Sequence, residues 1–333
     1  MAILVTGVAG FIGAHVVRRL LDDGQEVVGI DSLDPYYDVQ LKHDRLAWIG
    51  AHPHAAHFRF SETTIADETA LDAALSGVTL TGIVHLAAQA GVRYSISNPR
   101  AYVRANLAGH LNMLEVARAL PGVHMVYASS SSVYGANKSV PFRVEDRVDR
   151  PISLYAATTR ADELMSETYA HLYRMPLTGL RFFTVYGPWG RPDMAVWLFT
   201  DAILAGRPIS VFNGGDMARD FTYIDDIVTG VVATLARPPA DDGSAKPGGS
   251  IAPHALYNIG NHQPERLDRL IALIEAACGK PALREAKPMQ PGDVPQTFAD
   301  VSALTQATGF TPATPLDQGI ARFVDWYRGY RGM

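Results

Sequence analysis

Three glycines at a spacing of three, Gly7, Gly10 and Gly13, lie between the apolar run Ala2-Ile-Leu-Val5 and a helical pattern that begins at Phe11. A strand that turns straight into a helix through such a run needs backbone without side chains, because the turn is tight and chain passes close to chain. It also leaves the first N–H groups of the helix open to solvent, where they suit an anion such as a pyrophosphate. A carboxylate at the end of the next strand pattern, Asp31, stands where it would meet ribose hydroxyls.

The pattern beyond this unit repeats it. Short β-rich runs at Ile3–Val5, Glu26–Ile30, Phe58–Phe60, Gly82–Ala87, His124–Ala128 and Thr178–Phe183 alternate with helical stretches at Phe11–Asp22, Glu68–Leu75, Pro99–Ala119 and Leu154–Leu172. The alternation predicts an α/β fold, a doubly wound parallel sheet with helices on both faces. After Phe183 the pattern becomes irregular, with Gly-Pro-Trp-Gly at 187–190, a Pro- and Gly-rich stretch from Pro238 to Pro253 and a helical tail from Leu316 to Tyr330. The division expected is residues 1–183 for the sheet domain and residues 184–333 for a smaller lobe, with some chain returning to the sheet. The 240–250 segment has the composition of a mobile surface loop.

Composition narrows the partners. With 333 residues and a formal charge of −5, Lys and Arg scattered along the chain give no basic patch for nucleic acid or an anionic membrane. A small-molecule partner is expected. One cysteine, Cys278, cannot form an internal disulfide, and the chain enters a strand pattern at once instead of a leader, so the cytoplasm is the expected compartment. No apolar run is long enough to span a bilayer.

The second chemical feature is Ser129–Ser132, after the fifth strand pattern, with Tyr155 opening a helix beyond it. Ligands of open α/β sheets bind outside the carboxyl ends of the strands. A phenol in a cationic pocket can act as a general base on a hydroxyl. Residues 32–34, Ser-Leu-Asp, offer no Arg or Lys to a 2′-phosphate, so NAD is expected over NADP. His85, within a strand pattern, reads as a core histidine with no catalytic role.

These segments carry a resemblance. GVAGFIGAH, HLAAQAGVRYS at 85–95, ASSSSVYG at 128–135, SLYAAT at 153–158, LRFFTVYGPWGRPDMA at 180–195, RDFTYIDD at 219–226 and QPGDVPQTFADV at 290–301 are similar to the extended short-chain dehydrogenase/reductases. Within them the chain resembles the UDP-glucuronate 4-epimerases, essentially end to end. The first segment is generic to the superfamily, whereas the VYGPWGRPDMA run is specific to this subfamily. The resemblance implies a Rossmann-type sheet with a smaller C-terminal substrate lobe, NAD as cofactor, a UDP-sugar substrate, and a homodimer formed through the helices at about 99–119 and 154–172.

Position by position, the resemblance makes Tyr155 the general acid/base and Ser130 its hydrogen-bonding partner near the sugar O4, with Ser131 and Ser132 as assistants. It places Gly7, Gly10, Phe11, Ile12, Gly13, Asp31, Ile65, Leu86, Ala87, Ala88, Asn106, Tyr155 and Thr159 around the cofactor. Thr184 and Arg191 would grip the sugar carboxylate, with Arg93 a second candidate. Arg219 would meet the diphosphate and Asp293 the uridine ribose; no metal is expected. Oxidation at C4 makes a ketone β to the carboxylate on C5, and such a keto acid loses CO₂ when the carboxyl bond aligns with the carbonyl π system. Orientation of the carboxylate therefore decides the product.

Two positions depart from the family pattern. An acidic residue that contacts the adenine amine is replaced by Thr64, before Ile65, and the lysine four places after the tyrosine is replaced by Thr159. That lysine holds the nicotinamide ribose and stabilises the phenolate, and Arg160 points about 100° away around the helix. Four readings follow: a UDP-glucuronate 4-epimerase, a decarboxylating enzyme acting on the same ketone, an epimerase of neutral UDP-sugars, and a catalytically impaired NAD or nucleotide-sugar binder.

Overall fold

Strand β1 (Ala2–Thr6) shows why the sheet is covered on both faces. Ile3 and Val5 join a cluster with Val16, Val17 and Leu20, while the alternate residue Leu4 joins another with Ile83, Met113 and Met125. Both faces of the pleat are apolar, as a parallel sheet between two helical layers requires. The computed structural model describes residues 1–290 and 292–333; Pro291 of the 290–301 segment lies outside them.

The further strands are β2 (Glu26–Asp31), β3 (Phe58–Glu62), β4 (Leu80–His85), β5 (His124–Ser130), β6 (Leu177–Phe182), β7 (Thr184–Tyr186), β8 (Ile209–Phe212), β9 (Ala218–Tyr223), β10 (His254–Ile259), β11 (Pro264–Arg266) and β12 (Arg284–Lys287). Seven of them form one sheet in the order β10-β6-β5-β4-β1-β2-β3, all in parallel pairs. Strand β10 is the chain that returns to the sheet from the second half of the sequence. The order reverses between β1 and β4, and the crevice at that switch point is where such sheets bind ligands. The remaining strands make a three-stranded sheet, β11-β9-β7, and a pair, β12-β8.

The helices that position the site are α1 (Phe11–Asp22), α2 (Gln40–Gly50), α3 (Glu68–Leu75), α4 (Val92–Ser97), α5 (Pro99–Tyr102), α6 (Gly109–Arg118) and α7 (Leu154–Tyr173). Helix α1 buries Phe11, Ala14, Val17 and Leu21 at helical spacing against the sheet. The long helix expected over Pro99–Ala119 is interrupted: one π turn, Val103–Ala108, joins α5 to α6. Helix α2 was not anticipated, because two of its four buried positions are Lys42 and Arg45, so its inward face does not read as apolar. The tail helix spans Leu316–Arg331, and no helix of the described residues is long and apolar enough to cross a membrane. The 240–250 segment is mostly exposed, with Arg174 paired to Asp241 across the surface and Lys246 Nζ 2.7 Å from Asp242 within the segment.

Strands β5 and β6 and helix α7 meet at a buried ion pair. Glu163 of α7 accepts from Arg181 Nε at 2.8 Å and Nη2 at 3.0 Å, from Ser129 Oγ at 2.6 Å and from Arg160 Nη1 at 2.7 Å. Burial pushes this carboxyl up, but the Arg181 charge and the Arg181 and Ser129 hydrogen bonds outweigh it and hold the group below its usual range. Stability from the pair is present above the ordinary glutamate range and is lost as pH falls through the lowered value. Glu163→Gln should therefore lower stability near neutral pH by about 3–5 kcal/mol, because it leaves Arg181 buried without a charge partner. Urea titrations at about pH 7 and about pH 3 check this, the deficit shrinking at the lower pH.

Candidate active site

A cavity of about 720 Å³ opens at the carboxyl ends of β1, β2, β4 and β5. Its floor is the first turn of the chain. Gly7 has φ +76, and a Cβ there would stand 2.9 Å from Ala87 N; a Cβ on Gly13 would stand 2.1 Å from Gly7 O. Only glycine fits either place, so β4 and α1 approach the turn as closely as a pyrophosphate cradle needs. Asp31 braces this floor: Oδ2 accepts from Ala9 N at 3.0 Å and Oδ1 from Leu33 N at 2.9 Å, while Lys42 Nζ lies 4.0 Å away. These residues fit a dinucleotide. Phe11, Ile12, Ile65, Leu86, Ala87 and Ala88 complete the wall.

Thr64 also lines the cavity, and its Oγ1 accepts from Ala66 N at 3.3 Å. Lys42 was missed from sequence. Its signal was a cation one turn from Arg45 in the segment that proved to be α2. Among the described residues the wall does not include Asn106, Thr159 or Arg93. Asn106 sits in the π turn, where Oδ1 accepts from Gln89 N at 2.8 Å and Nδ2 donates to Thr158 Oγ1 at 3.0 Å, so it ties the end of β4 to α7. His85 is buried against Thr6 Oγ1 at 2.8 Å, and burial lowers it to about 4.

The reactive side of the cavity holds Ser129 to Ser132 and Tyr155. Ser130 Oγ accepts from Ser132 N at 3.1 Å, which leaves its own hydrogen free to donate. Ser132 Oγ is buried with no partner among the described residues. Tyr155 stands in the first turn of α7, whose start is capped by Ser153 Oγ accepting from Ala156 N, and the ring of Tyr102 meets it edge-on at 6.0 Å. Thr159, 4% exposed, brings no charge to this corner. Arg160 brings none either, since it is spent on Glu163.

Four cations belong to the described wall: Lys42, Arg104, Arg191 and Arg219. Arg191 is gripped along one edge, Nε to Asp193 Oδ1 at 3.0 Å and Nη2 to Asp193 Oδ2 at 2.6 Å. Tyr36 donates to the same Oδ2 at 2.9 Å. Burial works against the charge of Arg191, and Asp193 overrides it, raising this guanidinium above the usual arginine value. The Nη1 edge is not used by Asp193, and a planar fork held this way offers a second edge to another carboxylate. Thr184 lies in the same wall. Arg219 Nη2 donates to Asp293 Oδ1 at 2.5 Å, so the two residues read as separate ligands form one pair. Arg93, the second candidate for the carboxylate, packs its guanidinium over the Phe212 ring at 5.2 Å and is not part of the described wall.

Residues 3–260 match the model of the NAD dependent epimerase/dehydratase family. The chain belongs to that family. A probable UDP-glucuronate 4-epimerase of Rhizobium meliloti (strain 1021) is 49% identical, over 99% of this chain and 98% of its own. UDP-glucuronate 4-epimerase 1 of Arabidopsis thaliana is 44% identical over 100% of this chain and 78% of its own. Among solved structures, the UDP-glucuronic acid 4-epimerase of Bacillus cereus, in complex with UDP-glucuronic acid and NAD, superposes with a TM-score of 0.87. It is 31% identical and covers 99% of this chain and 100% of its own.

Position 159, one turn along α7 from Tyr155, carries the threonine that stands where the resembling epimerases were expected to have a lysine. A lysine at 159 would lean toward the N-terminal turn of α7, the turn that carries Tyr155. Thr159→Lys should therefore stabilise the Tyr155 phenolate, raise turnover near neutral pH and shift the acid limb of the pH–rate profile to lower pH. It should also slow loss of NAD. Profiles taken with cofactor saturated separate the two effects; an unchanged profile together with unchanged retention would mean that another group fills the lysine's role.

Proposed function

We propose that this protein is a UDP-glucuronate 4-epimerase that interconverts UDP-glucuronate and UDP-galacturonate through a 4-keto sugar. The observation that carries the substrate is Arg191, fixed on one edge by Asp193 and lining the cavity that Tyr155 also lines. A neutral sugar has no use for such a fork. Gly7, Gly10, Gly13 and Asp31 would hold NAD, which would supply the acceptor and donor for the hydride exchanged at C4.

The rest is the work of the chain. Tyr155 receives the C4 hydroxyl proton and later returns it, with Ser130 donating a hydrogen bond to O4. The ring turns between the two half-reactions, and the cavity must hold it loosely enough for that. Arg191 and Thr184 hold the carboxylate so that its bond to C5 stays out of line with the ketone π system, which suppresses loss of CO₂. Arg219 faces the diphosphate and Asp293 the ribose. Residues 1–183 carry mainly the cofactor side and residues 184–333 mainly the nucleotide-sugar side.

A homodimer is part of this reading. Leu164, Leu172 and Tyr173 on α7, with Val103 and Leu111 on the 99–119 stretch, are exposed apolar side chains on the two helices that would meet.

Incubation of the purified protein with UDP-glucuronate should give a product of equal mass, inverted at C4 by proton NMR. A product lighter by one CO₂, or turnover of UDP-glucose in preference, would overturn the assignment. Arg191→Ala should weaken UDP-glucuronate binding by about tenfold or more, the scale of a lost charged hydrogen bond, and raise the share of pentose nucleotide. If affinity and product ratio both stay unchanged, Arg191 is not the clamp.

A further inference from the structure

Arg45 of α2 is fully buried, and no carboxylate lies within ion-pair distance of it among the described residues. All of its N–H groups are nevertheless used. Nε donates to Trp189 O at 3.1 Å, Nη2 to Trp189 O at 2.8 Å and to Gly190 O at 3.1 Å, and Nη1 to Ala9 O at 2.9 Å and to Tyr37 Oη at 2.6 Å. A buried cation without a counter-ion is costly, and an apolar side chain could fill the same space. What this one does is join two parts of the site that are 180 residues apart in sequence: Ala9 in the phosphate turn, and the Trp189-Gly190 peptide next to Arg191.

Two further observations mark the joint. Trp189 has φ +62, a left-handed conformation that a bulky residue adopts only when its surroundings hold it there. Its carbonyl is the one that receives two bonds from Arg45, and its ring stacks on Trp48 of α2 at 5.4 Å. Residue Ala9 is held on both of its flanking peptides, its N–H by Asp31 and its carbonyl by Arg45. The phosphate turn and the Arg191 loop thus share one rigid support.

We propose that Arg45 is a positioning residue that fixes the height of the Arg191 loop on the phosphate turn and thereby sets the preference for a uronate over a neutral sugar. This rests on the substrate reading above. The carboxylate must meet the free edge of Arg191 while C4 faces the nicotinamide, so the spacing between loop and turn decides whether both contacts form together. A lysine at 45 keeps the charge but has a single nitrogen, which cannot reach three carbonyls of this spread.

The test uses NAD-loaded protein carrying Tyr155→Phe, so that ligands bind without turnover, with and without Arg45→Lys. Calorimetric titration with UDP-glucuronate and with UDP-glucose should show the preference for the uronate falling by about fivefold or more in Arg45→Lys, with UDP-glucose affinity changed by less than about twofold. With Tyr155 intact, Arg45→Lys should also release a larger share of pentose nucleotide. Equal weakening of both ligands, or an unchanged preference, overturns the proposal and leaves Arg45 a purely structural residue. If Arg45→Lys fails to fold, Arg45→Gln carries the test, since its uncharged amide cannot bridge the loop and the turn together: its preference should fall likewise, and an unchanged preference overturns the proposal. A parent protein without any preference for the uronate overturns the substrate reading first.

Discussion

The carboxylate of Glu163 is the constraint on which the reactive side of the site depends. It receives Arg181 from β6, Ser129 from the end of β5 and Arg160 from its own helix. The serine turn and the helix that carries Tyr155 are therefore registered against each other by one buried charge. Arg181 extends the hold, donating from Nη1 to Tyr134 Oη at 3.0 Å, and Tyr134 in turn donates to Asn258 of β10. A buried pair of this kind adds little net stability over a well-packed apolar core, but it tolerates few geometries. Proton transfer between a phenol and a sugar hydroxyl needs that intolerance, because donor and acceptor have to meet within hydrogen-bond reach.

The side proposed to hold the substrate follows another rule. Its two cations, Arg191 and Arg219, each have an acidic partner, Asp193 and Asp293. The partners fix orientation and at the same time reduce the net field, so an incoming anion is recognised by geometry more than by bulk attraction. Orientation is also what a β-keto acid intermediate demands, since its fate depends on the torsion of one bond. Gly91 shows how tightly the corner is built, for a Cβ there would stand 3.0 Å from Tyr36 Oη and 3.6 Å from Arg191 Nη2.

Much of the fold was legible because parallel strands buried on both faces leave dense apolar runs and because three glycines mark a turn where nothing else fits. The six strand patterns and the tail helix are present within a few residues of where the sequence placed them. What stayed hidden was hidden for physical reasons. Helix α2 turns Lys42 and Arg45 inward, so its periodicity is masked by the residues that matter most in it. The π turn at Val103–Ala108 leaves no mark in apolar spacing, although it brings Asn106 into contact with Gln89 and Thr158. Arg93 lies in a matching segment yet packs on Phe212, because a motif identifies a stretch of chain and not the direction of each side chain. Pairing of Arg219 with Asp293 joins residues 74 apart, a contact that only the folded chain can make.

Thr159 leaves the corner beside Tyr155 without a lysine, and Arg160 is engaged by Glu163. In the proposed reaction, oxidation and reduction happen at C4 of one sugar in one closed site, with the carboxylate held throughout. UDP-glucuronate carrying deuterium at C4 tests it most directly. The expected product is UDP-galacturonate that retains the deuterium at C4, with no label lost to water and no pentose formed. Wash-out of the label, inversion at C4 by a route that leaves another position exchanged, or a decarboxylated product as the main species would contradict it.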